Sequence, residues 1–304
     1  MIRTLRSIVL FFLISLGATL TARAQTDVLL AASGTLGTPG SLYILNPING
    51  SVLGTIGALN DILGNNYGLT GLRYDPANGV LYGATLSDSP NDPNYLVKVS
   101  PLTGLVTPIG PLGAPLTDLA LDPTTNIFYG VSGTTQKFYQ IDPSTGAATQ
   151  IGSTGISFQN GGGLAANSAG TLYGVNLNPN NAPDSIFYTY SKSNGMATEI
   201  ADTGLTNYVR ALAFNSNDTL YGIEGGNGDV GGSGKALRDL ITINVQTGAV
   251  TDLGASVNNL DAIAFVPLDL IPEGSPLTLF VLGICIVGFV SVRRGWRGER
   301  LAIR

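Results

Sequence analysis

Leu81-Tyr82-Gly83 returns as Phe128-Tyr129-Gly130, Leu172-Tyr173-Gly174 and Leu220-Tyr221-Gly222, at spacings of 47, 44 and 48 residues. A unit of this length that keeps recurring cannot bury its apolar face alone, so neighbouring copies must stack. Ahead of each Tyr-Gly lies a short apolar run entering a turn: Leu72 to Pro76, Leu119 to Pro123, Leu164 to Asn167 and Leu212 to Asn215. Behind each comes a run ending in Thr103-Gly104, Thr145-Gly146, Asn194-Gly195 or Thr247-Gly248, then a last run closing on Ile109-Gly110, Ile151-Gly152, Ile200 or Leu253-Gly254. Pro presets φ and Gly accepts positive φ, which suits these residues to turns. Four short strands per unit of about 45 residues describe the blade of a β-propeller.

The ends of the repeat region complete the count. Val28 to Ala32, Leu42 to Leu45 and Val52 to Ile56, with Asn49-Gly50 as a turn, supply a blade lacking its first strand. Ala262-Ile263-Ala264-Phe265 supplies that strand. The expectation is an all-β, five-bladed propeller whose first blade is shared by N- and C-terminal strands, a closure that removes exposed sheet edges. A β-helix or open β-solenoid is the alternative, and it would not need a split first blade. The repeated Tyr is expected to pack between blades, and the Gly to allow close backbone approach.

The connections separate into two kinds. In a propeller the first-to-second and third-to-fourth turns share one face, and here they are short. The opposite face receives the second-to-third loops and the inter-blade connections. Those include Asn60 to Tyr67, Ser87 to Asn94, Asn178 to Asp184 and Glu224 to Asp239. Long loops on a rigid scaffold are where binding is usually placed. The ligand-binding candidates they carry are Asp61, Asp88, Asp92, Asp184, Asp229 and Asp239. Such oxygen-rich loops could take Ca²⁺, although Gly225 to Asp229 lacks the full spacing of a calcium loop. No other cofactor is expected, and no metal site is assigned. Arg73 joins the candidates because Ala120, Ala165, Ala213 and Ala264 fill its place in the other first strands. It is expected either to reach into the central channel or to pair with Asp118 or Asp261 near its mouth.

Composition narrows the chemistry. The chain has no histidine, which removes the usual Ser-His-Asp and Cys-His constellations and His-based metal sites. Cys285 is the single cysteine and lies near the C-terminus, so residues 25–268 contain neither disulfide nor thiol. Asp75, Asp122 and Asp142 stand in Asp-Pro turns, where a carboxylate caps the backbone. The channel mouth reads Thr70, Thr117, Gly162, Arg210 and Asp261, a mixed set and not a pair of facing carboxylates. The protein is therefore expected not to be an enzyme. The alternative is a carboxylate- or calcium-dependent propeller hydrolase of glycosidase or lactonase type, which needs two carboxylates about 5–9.5 Å apart.

Both ends look like targeting segments. Arg3 and Arg6, an apolar stretch from Ile8 to Leu20 and Ala22-Arg23-Ala24 have the order of a signal peptide spanning 1–24, cut after Ala24. At the other end, Ile271-Pro272-Glu273-Gly274-Ser275-Pro276 precedes an apolar run from Leu277 to Val292 and a basic end with Arg293, Arg294 and Arg297. As a helix that run spans about 24 Å, against a hydrocarbon core of about 30 Å. Its basic flank would stay cytoplasmic. Between the two ends, residues 25–273 hold 7 basic and 19 acidic residues, a net charge of −12. Such a body repels nucleic acid and anionic lipid surfaces, so no nucleic-acid partner is expected.

The order of motif, membrane segment and basic end in 269–304 resembles the PEP-CTERM sorting signal of bacterial secreted proteins, with Gly274 where the second proline falls. The resemblance covers this tail alone. It implies an exosortase-type enzyme as a processing partner near Pro272-Glu273, transient anchoring in the inner membrane through a transmembrane helix at 277–292, and delivery to the cell surface. A plain C-terminal anchor is the other reading of the tail. The repeat body, 25–268, is similar to propellers in general, NHL-like and WD-repeat proteins included, without a strict signature of either. Together these features lead to an expectation of an exported, non-catalytic surface or extracellular-matrix protein. Its long-loop face would bind exopolysaccharide, another glycan or a surface protein.

Overall fold

The computed structural model describes residues 27–34, 39–156, 162–177, 185–225 and 238–271. The segments 1–24 and 277–292, with Ala24, Pro272, Glu273, Arg293 and Arg294, lie outside the described residues, as do Asp184 and Asp229. Among the described residues no helix is long and apolar enough to cross a membrane.

The repeat unit becomes a sheet. Strands β1 (Asp27–Ser33), β2 (Ser41–Leu45) and β3 (Val52–Ala58) open the chain. The second blade is β4 (Leu69–Asp75), β5 (Val80–Thr85), β6 (Tyr95–Val99) and β7 (Val106–Pro111). The third is β8 (Asp118–Asp122), β9 (Ile127–Ser132), β10 (Lys137–Ile141) and β11 (Ala148–Ser153). The fourth is β12 (Leu164–Ala166), β13 (Leu172–Leu177), β14 (Ser185–Tyr190) and β15 (Ala197–Asp202). The fifth is β16 (Val209–Phe214), β17 (Leu220–Gly225), β18 (Arg238–Ile243) and β19 (Val250–Ala255). Last comes β20 (Leu260–Pro267), which pairs antiparallel with β1, Leu30 opposite Ala264, and supplies the inner strand of blade one. The result is a five-bladed propeller closed by its own termini, and the open solenoid is set aside because β20 returns to β1.

The packing explains the repeated residues. Between blades two and three, the Tyr82 ring meets Phe128 edge-on at 5.0 Å, and between blades five and one Tyr221 meets Phe265 at 5.0 Å. Tyr173 of blade four lies 5.7 Å from Phe214 of blade five. The following Gly is required by crowding at Gly174, where a Cβ would lie 2.8 Å from the Gly163 carbonyl oxygen. The third-to-fourth turn is built the same way five times, with Gly50, Gly104, Gly146, Gly195 and Gly248 each donating to the carbonyl four residues earlier. Gly146 shows why it must be glycine, since its φ is +83° and a Cβ would lie 2.5 Å from the Gly110 carbonyl of the preceding blade. Beyond β20, Leu268–Leu270 form a short 3₁₀ turn and Ile271 is buried against the core shared by blades one and two.

Because strands alternate in direction, the turns at 76–79, 100–105, 123–126 and 142–147 lie on one face, and the connections at 59–68 and 86–94 on the other. Blade three departs from the expected pattern, since its β9–β10 connection covers only 133–136.

Candidate functional site

The inner strands present an unpaired edge of N–H and C=O groups to the channel, and buried groups of this kind need partners. Arg73 and Asp118 provide them. The Arg73 guanidinium donates to the carbonyls of Leu119 at 2.8 Å, Leu164 at 2.9 Å and Leu212 at 2.8 Å. The Asp118 carboxylate accepts from the N–H groups of the same three residues, at 2.8, 2.9 and 3.2 Å. One cation, from blade two, and one anion, from blade three, therefore tie blades two to five together through both polar groups of each leucine. Burial pushes the Asp118 carboxyl up to about 7, against the opposing pull of Arg73 and the three donors. Burial likewise lowers Arg73, and the Asp118 charge opposes it. Of the two carboxylates expected as partners for Arg73, Asp118 is the one beside it. Asp261 belongs to another group, accepting from Arg238 at 3.3 Å with Arg210 at 4.0 Å. Arg73 is thus a buried structural element of the channel and not an accessible binding residue.

The loop candidates are brought together in part. Asp61 and Asp92, on different loops, share the single hydroxyl proton of Tyr67, whose oxygen is 3.2 Å from one and 3.1 Å from the other. Tyr67 is 1% exposed, and its pKa is raised beyond the ordinary phenol range by burial, then by the bond to Asp92 and the two negative charges. Asp61 also accepts from the N–H groups of Leu63 at 2.8 Å and Asn65 at 2.9 Å. Slight desolvation raises its carboxyl, and the donors from Asn65, Leu63 and Tyr67 outweigh that and leave it below its ordinary value. Asp92 adopts a left-handed φ of +42°, with its carbonyl bound by the Thr85 hydroxyl at 2.5 Å. Asp88 is exposed on the same 86–94 loop.

Asp239 sits apart from these, on blade five. It stands opposite Glu224 across β17 and β18. Burial raises the Glu224 carboxyl; its bond from Asn207 at 2.9 Å opposes this, and the charges of Asp239 and Asp252 add to it. Asp239 is raised by burial and by Asp252. Among the described residues, no group of three or more Asp, Glu, Cys or His side chains is gathered as a metal cage.

Sequence reasoning missed Tyr67 and Glu224. The spacing Asp61-Asn65-Tyr67 was visible as an Asx-type loop ahead of a strand, but the bridge to Asp92 depends on how two blades meet. Glu224 became a partner of Asp239 only through the β17–β18 register.

No family model and no curated protein matches the chain. Among solved structures, a chain in the crystal structure of a nidogen/laminin complex is similar with a TM-score of 0.50 and 12% identity, over 79% of this chain and 97% of that one. At that identity the likeness is one of fold, and with the sheet order above it makes this protein a five-bladed β-propeller.

Proposed function

We propose that the protein is an exported, non-catalytic propeller of the cell surface or extracellular matrix, and that its long-loop face binds a glycan or a surface protein. The carrying observation is the Asp61–Tyr67–Asp92 bridge. It locks the blade-one/blade-two connection to the blade-two loop and holds two carboxylates at the rim in fixed positions. Preorganised loops lose less entropy on binding than mobile ones. The fold neighbour comes from a protein–protein complex, which is in keeping with a protein partner. Export rests on the signal-like 1–24, and surface delivery on the sorting-type tail with cleavage near Pro272-Glu273. A glycan array and a surface-protein binding assay on the released protein test the reading. Replacing 88–94 with a short Gly-Ser link removes the Asp92–Tyr67 and Asn91–Asn66 bonds and so lowers the melting temperature. Binding lost in a variant that still melts as a folded propeller supports the reading, while unchanged binding refutes it. Intact mass of the released protein tests the tail, because the cut form lacks Cys285 and Trp296 and a plain anchor keeps both.

The hydrolase reading has one observation in its favour. Glu224 and Asp239 are cross-strand neighbours on the same face, and both carboxyls are held above their ordinary values. A raised acid beside a second carboxylate is what glycoside cleavage uses. Turnover of chromogenic glycosides or lactones that is abolished by Glu224→Gln would establish it.

A further inference from the structure

Two large apolar side chains stand out from the rim. Ile62 is 85% exposed and Leu63 81%, more than any other large apolar residue described. Single exposed leucines are ordinary on protein surfaces. These two are adjacent, and the backbone beneath them is fastened on all sides. Asn60 and Asn66 form a β-bridge under the tip, and Asp61 N–H donates to the Asn65 carbonyl at 3.0 Å. The Asn66 side chain donates to the Gly40 carbonyl at 3.0 Å and accepts from Gly40 N–H at 2.6 Å, which ties the loop to blade one. Asn91 donates to the Asn66 carbonyl at 2.9 Å, and Tyr67 reaches Asp92, which ties it to blade two. A flexible loop would fold such a pair against the surface, whereas this one keeps it in water.

The surrounding charge selects what covers it. Asp61 is next to the tip, ionised because its carboxyl is held below the ordinary value, and Asp88 and Asp92 lie on the adjoining loop. Between residues 59 and 94 the only basic residue is the buried Arg73. An anionic lipid headgroup is repelled by these carboxylates and by the net −12 of the body, and a second copy of the chain brings the same charges. An apolar recess bordered by Lys or Arg satisfies both the tip and its rim, the arrangement of buried anchor and polar border found at protein interfaces. We propose that Ile62 and Leu63 form a rigid apolar knob that docks into such a recess on a partner protein. This rests on the long-loop face being the binding face.

The test places a diazirine amino acid at position 62 of the full chain in the producing cells. Parallel placements go at the exposed Ser87 of the same face and at Ile48, 78% exposed on the opposite face. The expected result is one protein cross-linked from 62 and 87 but not from 48. With that protein purified, Ile62→Ser/Leu63→Ser should lower affinity at least tenfold, leave the melting temperature unchanged, and retain the salt dependence set by Asp61, Asp88 and Asp92. Cross-links from 62 to lipid, or to a second copy, overturn the proposal in favour of those occupants. Cross-linking from 87 alone overturns the knob and leaves the binding face standing. No excess over Ile48 at either position overturns both.

Discussion

Asp118 in the channel and Asp61 on the rim are built alike, each accepting backbone N–H groups from nearby strands or loop, yet their carboxyls are driven in opposite directions. Asp118 has three such donors and a neighbouring Arg73, and burial still takes it up to about 7. Asp61 has two, with Asn65 and Tyr67 side chains added, and falls below its ordinary value. The number of donors therefore does not decide the charge state; access to water does, because desolvation opposes the charged form wherever solvent is excluded. The channel carboxylate is committed to holding strands. The rim carboxylate keeps its charge at the surface, where a partner can meet it.

The largest effect should come from breaking the channel. Arg73→Ala leaves Asp118 buried without its cation and the Leu119, Leu164 and Leu212 carbonyls without a donor. A loss of about 3–5 kcal/mol is expected for breaking one side of a buried pair. Calorimetry should show a fall in melting temperature on the order of 10 °C for a domain of this size. A variant that melts like wild type would mean that the channel pair is ornamental to the fold.

Asp122 comes next. It is buried at the blade-three turn and accepts from Thr124, Thr125 and the Lys192 ammonium of blade four at 2.7 Å. Burial raises its carboxyl, and these donors more than offset that, bringing it to about 2. Asp122→Ala should cost about 1–3 kcal/mol by orphaning the turn donors, read by denaturant unfolding. The sequence role given to Asp122, a turn cap, holds, and the tie to Lys192 across blades adds to it.

The two buried carboxylates predict opposite pH trends. The folded pKa of Asp122 lies below its ordinary 3.8, so its contribution is present above about pH 4 and lost as pH falls toward 2. For Asp118 the folded pKa lies above 3.8, so the folded state holds a proton the unfolded chain has released. Its contribution is full below about pH 4 and lost as pH rises through 7. Thermal melts should therefore show the gap between wild type and Asp118→Asn narrowing from pH 4 to 7. A gap that widens over that window would mean that Asp118 is ionised throughout.

The rim should respond least in stability and most in binding. Tyr67→Phe removes one shared hydroxyl from a buried ring, about 1 kcal/mol. It also frees Asp61 and Asp92 from each other, so affinity at the long-loop face should drop. Equal losses in stability and affinity would reclassify the rim as scaffold.

Much of the fold was legible in the sequence because it repeats. The Tyr-Gly spacing, the Asp-Pro and Thr-Gly turns and the matching of Ala262 to Phe265 with the missing strand of blade one are local features, each tied to a φ preference or a strand period. The site was less legible. Asp61 and Asp92 were picked out as loop carboxylates, but nothing in their spacing says that a tyrosine hydroxyl joins them. Arg73 was recognised as the break in an Ala series, and its reach into the channel followed. That it serves three carbonyls at once depends on inner strands up to 139 residues away in the chain.

By itself, then, the sequence determined the blade, the number of blades and the way the ring closes, since each follows from short-range pattern and turn chemistry repeated along the chain. Only the tertiary structure decided which charges are sealed in and which face water. Burial is set by the meeting of blades that are distant in sequence; it drove Asp118 up, and access to water at the rim left Asp61 ionised and Ile62 and Leu63 in solvent.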